Sequence, residues 1–294
     1  MEIKEFAEVI REEVERTIGK AVRVQQVTKN NGVKLYGLIV SEEGCNVSPT
    51  IYMEPFFSDY ENGRSIDSIV SAVSELEQEQ KMDVTLDINW FRDFNQVRDK
   101  LRFKLINYEC NKDLLKKVPH TRYLDLAKVY YVVVETENFG SGTILVYDSH
   151  MELWGTEVGQ LETIAVANTC NQQSVIVGSM QEVLDSMMEM EEDIELPEEY
   201  QLYVMSNHSK TFGASALCNR EALKELAEKV GSDLIILPSS VHEIIVKPTS
   251  GDVEELLYCK GMVHEVNRTQ VTAEEFLSDS IYFYDRETNS LSIA

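Results

Sequence analysis

The chain has 294 residues, of which 43% are hydrophobic and 27% charged, and its 27 Lys and Arg stand against 51 Asp and Glu, a formal net charge of -24. This balance is typical of a folded protein of one large or two ordinary domains, and it excludes a largely disordered chain. The negative charge argues against nucleic acid and anionic lipid as partners, because both repel it. No run approaches the roughly 18 uninterrupted apolar residues that a membrane helix needs.

The N-terminus and the cysteines predict a reducing, cytoplasmic setting. Residues 1–19 are charged and amphipathic, unlike the apolar core of a signal peptide. The 5 cysteines are widely spaced and contain no C-x-x-C pair, which argues against a disulfide framework or a zinc ribbon. We therefore expect a cytoplasmic protein with reduced thiols.

The first hundred residues predict an N-terminal α+β lobe in which a helix is followed by a β-meander and a second helix. Apolar residues spaced by three and four form one stripe that Gly19 ends, and Asn31-Gly32 is a strong hairpin signal. The aromatic segment 56–60 is more typical of a core than of a platform for stacked bases. In chain order the predicted elements are a helix at 1–19, strands at 22–24, 33–35 and 46–53, a helix after Gly63, and a helix over 88–100.

Residues 101–294 predict a second α+β lobe. Asn219 and Gly231 are a start and a stop signal for its clearest helix, and the acidic run 189–199 is a linker or loop candidate. The predicted elements are strands at 101–108, 123–136, 143–148, 175–177, 202–205, 213–218, 234–237 and 241–246; helices at 155–169, 179–192, 219–230, 252–267 and 272–278; a short basic segment at 111–118; and a terminal hairpin around 282–284.

These elements predict an α+β fold with helix-packed antiparallel sheets in two lobes, 1–100 and 101–294, which meet somewhere between residues 81 and 122. Phe139-Gly140 and Phe212-Gly213 each precede a predicted strand that leads to a helix. A duplicated hairpin–helix unit is therefore one interpretation of the second lobe.

Motifs for cofactors and metals are missing from the sequence, so we expect neither. Gly140-Ser-Gly142 begins like a dinucleotide fingerprint, but Leu145 stands where the third glycine belongs. The histidines form no H-x-x-x-H or H-E-x-x-H pair, and Asp148 with His150 is more typical of solvated strand-end side chains than of a metal site. Cys259 belongs to an apolar helical stripe, which predicts a buried thiol rather than a ligand.

The densest group of reactive side chains is Ser239 and Ser240, in the turn between two predicted strands, with His242 and Glu243 at the start of the second strand. In an extended chain Ser240 and His242 project to one side and Glu243 to the other, so the three do not form a hydrolase triad unaided. The alternative is a turn whose hydroxyl groups satisfy the backbone. His208 and Lys210 lie in a second polar turn, which is either an anion-binding candidate or an ordinary hairpin turn.

One set of runs occurs in a fixed order along the chain: Asn30–Val33, Leu38–Val40, Ser48–Tyr52, Tyr60–Gly63, Lys104–Tyr108, Val118–His120, Tyr123–Ala127, Ile236–Glu243 and Leu277–Tyr282. Taken together, these runs resemble the uncharacterised domain-of-unknown-function family 5688 of gut anaerobic bacteria. The resemblance covers nearly the whole chain and implies one family-wide module in a bacterial, cytoplasmic setting, often on mobile elements. It implies no activity, ligand or catalytic residue.

Three functional hypotheses follow. The first is a non-enzymatic binding or regulatory protein with a protein partner, because strong catalytic motifs are missing and an acidic surface suits a basic partner. The second is a hydrolase or transferase with a site around Ser239–Glu243. The third is an acidic DNA-mimic decoy linked to a mobile element. The sequence leaves the ligand, the partner and the oligomeric state open.

Overall fold

The computed structural model describes residues 1–41, 48–79, 89–136, 140–172, 175–180 and 202–294. These residues form helices and three antiparallel sheets, so the predicted α+β class is confirmed. They divide into two compact units, Met1–Trp90 with Glu135–Gly142 and Phe91–Val134 with Thr143–Ala294. The lobe boundary at residue 100 stays a prediction.

The first unit packs three helices on a three-stranded sheet. Phe6, Ile10 and Val14 are buried on one face of the first helix, which ends at Gly19 in the left-handed region (φ 69°) as the sequence predicts. The Phe6 ring lies 5.3 Å from Phe57 and 5.4 Å from Tyr60, which confirms that the aromatic segment belongs to the core. The elements are α1 (Ile3–Ile18), β1 (Val22–Thr28), β2 (Lys34–Val40), β3 (Thr50–Tyr52), α2 (Glu54–Glu61) and α3 (Ile66–Glu79).

The second unit contains a four-stranded sheet in the order β4-β6-β5, with β7 also paired to β6. A long helix, α7, packs on β4, where the Phe103 N–H donates to Thr169 Oγ1 (3.2 Å). The elements here are α4 (Phe94–Val97), β4 (Leu101–Asn107), α5 (Lys112–Leu115), β5 (His120–Tyr123), β6 (Leu126–Thr136), β7 (Gly140–Leu145), α6 (Asp148–Trp154) and α7 (Val158–Gln172).

A six-stranded antiparallel sheet follows, in the order β13-β12-β10-β11-β9-β8. Its inner strand β10 is an apolar run with Leu234, Ile235 and Ile236 fully buried, as expected for a strand covered on both faces. The elements are β8 (Val175–Ser179), β9 (Tyr203–Asn207), α8 (Arg220–Val230), β10 (Asp233–Leu237), β11 (Ile244–Thr249), α9 (Val253–Thr269), β12 (Tyr282–Asp285) and β13 (Ser290–Ile293).

The β10–β11 hairpin forms as predicted, but β11 begins at Ile244 rather than Val241 and continues through Pro248 to Thr249. Proline is tolerated there because the pairing of β11 with β9 ends at Val246, so the missing N–H of Pro248 removes no bond to β9. The helix α8 also forms as predicted: Asn219 Oδ1 accepts from the Ala222 N–H (3.1 Å), and the chain turns at Gly231.

Three local predictions are wrong. Residues 213–218 form a 3-10 helix rather than a strand, because the backbone bonds locally: the Ser215 N–H donates to the Phe212 carbonyl (3.3 Å) and the Asn219 N–H to the Ala216 carbonyl (2.9 Å). Residues 272–278 contain a single turn rather than a helix, because the carbonyls of Leu277 and Ser278 accept from the side chains of Asn107 and Asn267 instead of continuing a helix. Asp148 and His150 lie on the short helix α6 rather than on a strand.

Other predictions fall outside the described residues. The Met-rich helix at 179–192 lies there except for its first two residues, and the whole acidic run 189–199 does too. Phe139, one half of the predicted duplication, is also outside, so the duplicated unit stays a prediction.

Candidate functional sites at the two ends of the six-stranded sheet

The Ser239–Glu243 turn lies at one end of the six-stranded sheet, between the end of β10 and the start of β11. Ser240 Oγ accepts a hydrogen bond from the backbone N–H of His242 (3.0 Å), and the Ser240 N–H donates to the Glu243 carbonyl (3.3 Å). The hydroxyl of Ser240 therefore closes the turn, which confirms the backbone-satisfying interpretation for this serine.

The imidazole of His242 is held by groups other than the serines. Its Nδ1 accepts from the backbone N–H of Phe212 (3.2 Å), so the proton of the neutral ring lies on Nε2. Nε2 is 3.9 Å from Glu275 Oε1, and the side chain is 34% exposed. Because one nitrogen is occupied and the other carries the proton, the ring has no free position from which to accept a proton from Ser240.

Sequence reasoning missed the residues that position this histidine. Phe212 has left-handed backbone (φ 56°), and its ring stacks on His242 at 5.8 Å with an interplanar angle of 12°. Lys104 Nζ lies 4.0 Å from the centre of the same ring, and Tyr131 meets it edge-on at 5.3 Å. These residues come from β4, β6 and the loop after β9, and no local pattern in the sequence connects them.

The second predicted group, His208 and Lys210, lies at the same end of the sheet. Buried Asn207 organises its turn: Oδ1 accepts from Ser209 Oγ (2.9 Å) and Nδ2 donates to the Thr211 carbonyl (2.9 Å). His208 and Lys210 point outward and are exposed. The two predicted groups are thus neighbours, with Ser206 Oγ donating to the His242 carbonyl at 2.7 Å.

A cleft of about 1050 Å³ lies at the opposite end of the same strands. It is formed where β9 and β10 begin and where β11 and β12 end, together with the end of α8 and the start of α9. None of the predicted site residues contributes to it. Its charged lining residues are Lys229, Asp233, Lys247, Glu255, Asp285, Arg286 and Glu287.

Part of the cleft wall is held by its own polar contacts. Glu255 accepts hydrogen bonds from both Lys247 and Thr249. Partial burial acts to raise the pKa of Glu255, but these two hydrogen bonds and the charge of Lys247 together outweigh it and leave the pKa below its usual value. Hydrogen bonds from the backbone and the hydroxyl of Thr288 likewise lower the pKa of Asp285, which organises the β12–β13 turn.

Two cations of the cleft have no ion pair with any described residue. The backbone N–H of Arg286 donates to Asp233 Oδ1 (2.9 Å), and the residue is exposed, with no ion pair to its guanidinium from the described part of the chain. Lys229 Nζ lies 5.9 Å from the centre of the Tyr203 ring, a weak contact.

Among the residues that the structure describes, the remaining thiols and histidines do not converge on a site. Burial raises the pKa of the Cys218 thiol to about 12 and also raises the pKa of Cys170, which makes both poor nucleophiles. Cys259 is buried, as predicted. Over the described ranges, no three His, Cys, Asp or Glu side chains are placed to hold a metal ion.

The family model of the family of unknown function DUF5688 matches residues 3–286. The chain belongs to that family. Comparison with curated proteins and with solved structures found no match. In the part of the chain that the structure describes, no helix is both long and apolar enough to cross a membrane.

Two of the runs that resemble DUF5688 meet in the second unit. Asp125, in the β5–β6 turn, accepts hydrogen bonds from Ser278 Oγ and from Tyr282 Oη (2.8 Å). Asn107 of a third run donates to the Leu277 carbonyl (2.9 Å). In this DUF5688 protein these runs therefore form a polar connection between the two sheets of the second unit, and Ser278 and Tyr282 are fully buried within it.

Proposed function

We propose that this DUF5688 protein is a non-enzymatic binding protein and that a polypeptide segment of its partner docks in the cleft at the Asp233 end of the sheet. The observation that carries the proposal is the cleft itself, whose described lining residues carry charges of both signs.

The size and polarity of the cleft suit a polypeptide better than a small apolar ligand. Small-molecule pockets of about 300–1,000 Å³ are mostly apolar, with few polar groups. Here the lining is dominated by charged and hydroxyl side chains. The guanidinium of Arg286 and the ammonium of Lys229 are available to acidic side chains of a partner, and Glu287 is available to basic ones.

The overall charge favours a partner that is basic as a whole. A net charge of -24 attracts a basic protein at long range and raises its association rate, whereas the contacts within the cleft select the docked segment. A bacterial, cytoplasmic and mobile-element setting belongs to the same proposal and rests on the family resemblance.

The test is a peptide-display library selected on the purified full chain, followed by binding measurements on the enriched peptides. Lys229→Glu with Arg286→Glu is expected to weaken their binding at least tenfold. Lys116→Glu with Lys117→Glu makes the same change of net charge just after α5, outside the cleft, and is expected to leave binding unchanged. Failure to enrich any peptide, or equal loss in both double variants, would count against the proposal.

The two alternatives have less support. For the hydrolase or transferase, the favourable observation is a partly exposed His242 near Glu275, but the hydroxyl of Ser240 faces backbone rather than imidazole. A DNA mimic needs unpaired carboxylates spaced like phosphates. On α1, a single Arg11 contacts three glutamates, which reduces the negative charge of that face.

A further inference from the structure

The helix α6 is capped at its start by a histidine. Nδ1 of His150, the third residue of the helix, accepts a hydrogen bond from the backbone N–H of the N-cap residue Tyr147 (3.1 Å). In a capping box the acceptor at this position is ordinarily the side chain of Glu or Gln. Histidine differs from both because its side chain takes up a proton near neutral pH. The cap of α6 therefore depends on a nitrogen that titrates.

The same imidazole lies in a cluster of aromatic side chains. Phe91 meets the ring of His150 edge-on at 5.0 Å, and the ring of Trp154, at the other end of α6, lies 5.8 Å away. Trp154 in turn lies 5.1 Å from Phe91 and 5.7 Å from Phe94, and its indole N–H donates to the Phe91 carbonyl (2.7 Å). The imidazole thus takes part both in the first turn of α6 and in the packing of this helix on residues 91–94.

A proton on Nδ1 is incompatible with this arrangement. Because Nδ1 of His150 accepts, the neutral ring carries its proton on Nε2, whereas the charged ring donates from both nitrogens. Protonation would point an N–H of the ring at the N–H of Tyr147, which leaves both donors without an acceptor. The ring must then turn away from the cap, and in doing so it leaves its contacts with Phe91 and Trp154.

The charges around the ring do not offset this cost. They are Asp148 and Glu152 on α6, Arg92 and Asp93 beside Phe91, and Lys117, whose carbonyl accepts from the Asp148 N–H (3.1 Å). In the described part of the chain no carboxylate forms an ion pair with this imidazole, and burial lowers the pKa of His150 below its ordinary value. With α6 released, the ring lies in water and has the ordinary pKa of about 6.5. Acid therefore favours the released form increasingly as the pH falls below about 6.5.

We propose that His150 is a pH-sensitive cap, whose protonation in mild acid releases the first turn of α6 and separates this helix from residues 91–94. The opening is local because the side chains that separate are not part of the fully buried core, and such segments open at low cost. Each of them is at least partly exposed: Phe91, Phe94, Tyr147, His150 and Trp154. None of these residues lines the cleft, so this inference does not depend on the peptide-binding proposal.

The first test is an NMR titration of the imidazole nitrogens of the full chain from about pH 7.5 to about pH 5. The signals of His150 are identified by their absence from the spectrum of His150→Gln. We expect the neutral ring to carry its proton on Nε2 and to titrate with a midpoint below about 6.5. A neutral ring protonated on Nδ1, or a midpoint above this value, would overturn the proposal.

The fluorescence of Trp154 measures the release itself. The chain has 2 tryptophans, so Trp90→Phe leaves Trp154 as the single reporter. In this background we expect the emission to shift to longer wavelength on acidification, with the midpoint of the His150 titration and with unchanged far-UV circular dichroism.

Two histidine variants separate the cap from other effects of pH. His150→Gln keeps an acceptor for the Tyr147 N–H but does not titrate, so its emission is expected to stay constant over the same pH range. His208→Gln removes an exposed histidine elsewhere and is expected to keep the full emission shift. An emission shift that persists in His150→Gln, or a loss of circular dichroism that accompanies the shift, would contradict a local, histidine-controlled opening.

Discussion

The hydroxyl of Tyr282 offers the sharpest test of how the second unit is held together. It donates to Asp125 Oδ1 (2.8 Å), whereas the hydroxyl of Tyr284, two residues along the same strand, donates to neutral Asn289 Oδ1 (2.8 Å). Both tyrosine side chains are fully buried. Replacement by phenylalanine keeps the ring in each case and removes only the donor, so Tyr284→Phe is a matched control.

The expected difference follows from the charge of the acceptor. A hydrogen bond to a charged group contributes about 1.5–3 kcal/mol, and a neutral one about 0.5–1.5 kcal/mol. We therefore expect Tyr282→Phe to lower the free energy of unfolding by about 2 kcal/mol and Tyr284→Phe by about 1 kcal/mol. Urea unfolding followed by circular dichroism, with linear extrapolation, measures both. Equal losses in the two variants would refute the argument that Asp125 acts as a charged connection.

Three further predictions concern stability at alkaline pH, the close packing at Gly213 and the role of His242. Burial raises the pKa of Tyr130 to about 12 and also raises the pKa of Tyr282. The stability that these two neutral tyrosines contribute is therefore fully present below the unfolded tyrosine pKa of about 10 and is lost as the pH rises towards 12. A constant urea midpoint from pH 8 to about 11.5 would contradict this prediction. Gly213→Ala places a Cβ 2.4 Å from the His242 carbonyl oxygen and is expected to lower the free energy of unfolding by about 1–3 kcal/mol. Gly159→Ala is the control: an added Cβ there meets nothing within 4 Å, so the free energy of unfolding is not expected to fall. Any hydrolysis of p-nitrophenyl acetate by the pure chain is expected to be unchanged in His242→Gln, and a loss would favour the hydrolase alternative.

The sequence predicted a turn at the candidate site, but it did not predict which side chains meet there. Ser239 and Ser240 lie in the turn between two strands, as predicted, and the hydroxyl of Ser240 does serve the backbone. His242 and Glu243, predicted on the second strand, belong to the turn instead, because β11 begins at Ile244. The partners of His242 were not readable, because Phe212 and Glu275 come from segments distant in the chain. The cleft was missed for the same reason: Tyr203, Asp233 and Asp285 each begin or end a different strand.

The sequence by itself determined the elements whose signals are local: α1 with its stop at Gly19, the hairpin at Asn31-Gly32, and α8 between Asn219 and Gly231. Helix periodicity, caps and tight turns depend on residues within about four positions, so a single chain segment carries them. Only the tertiary structure shows that residues 213–218 form a buried 3-10 helix, because the groups that surround them, among them Ser206 and His242 beside Gly213, come from other segments of the chain. It also decided which apolar residues of α9 remain exposed, since a helix stripe shows periodicity but not which neighbours cover it.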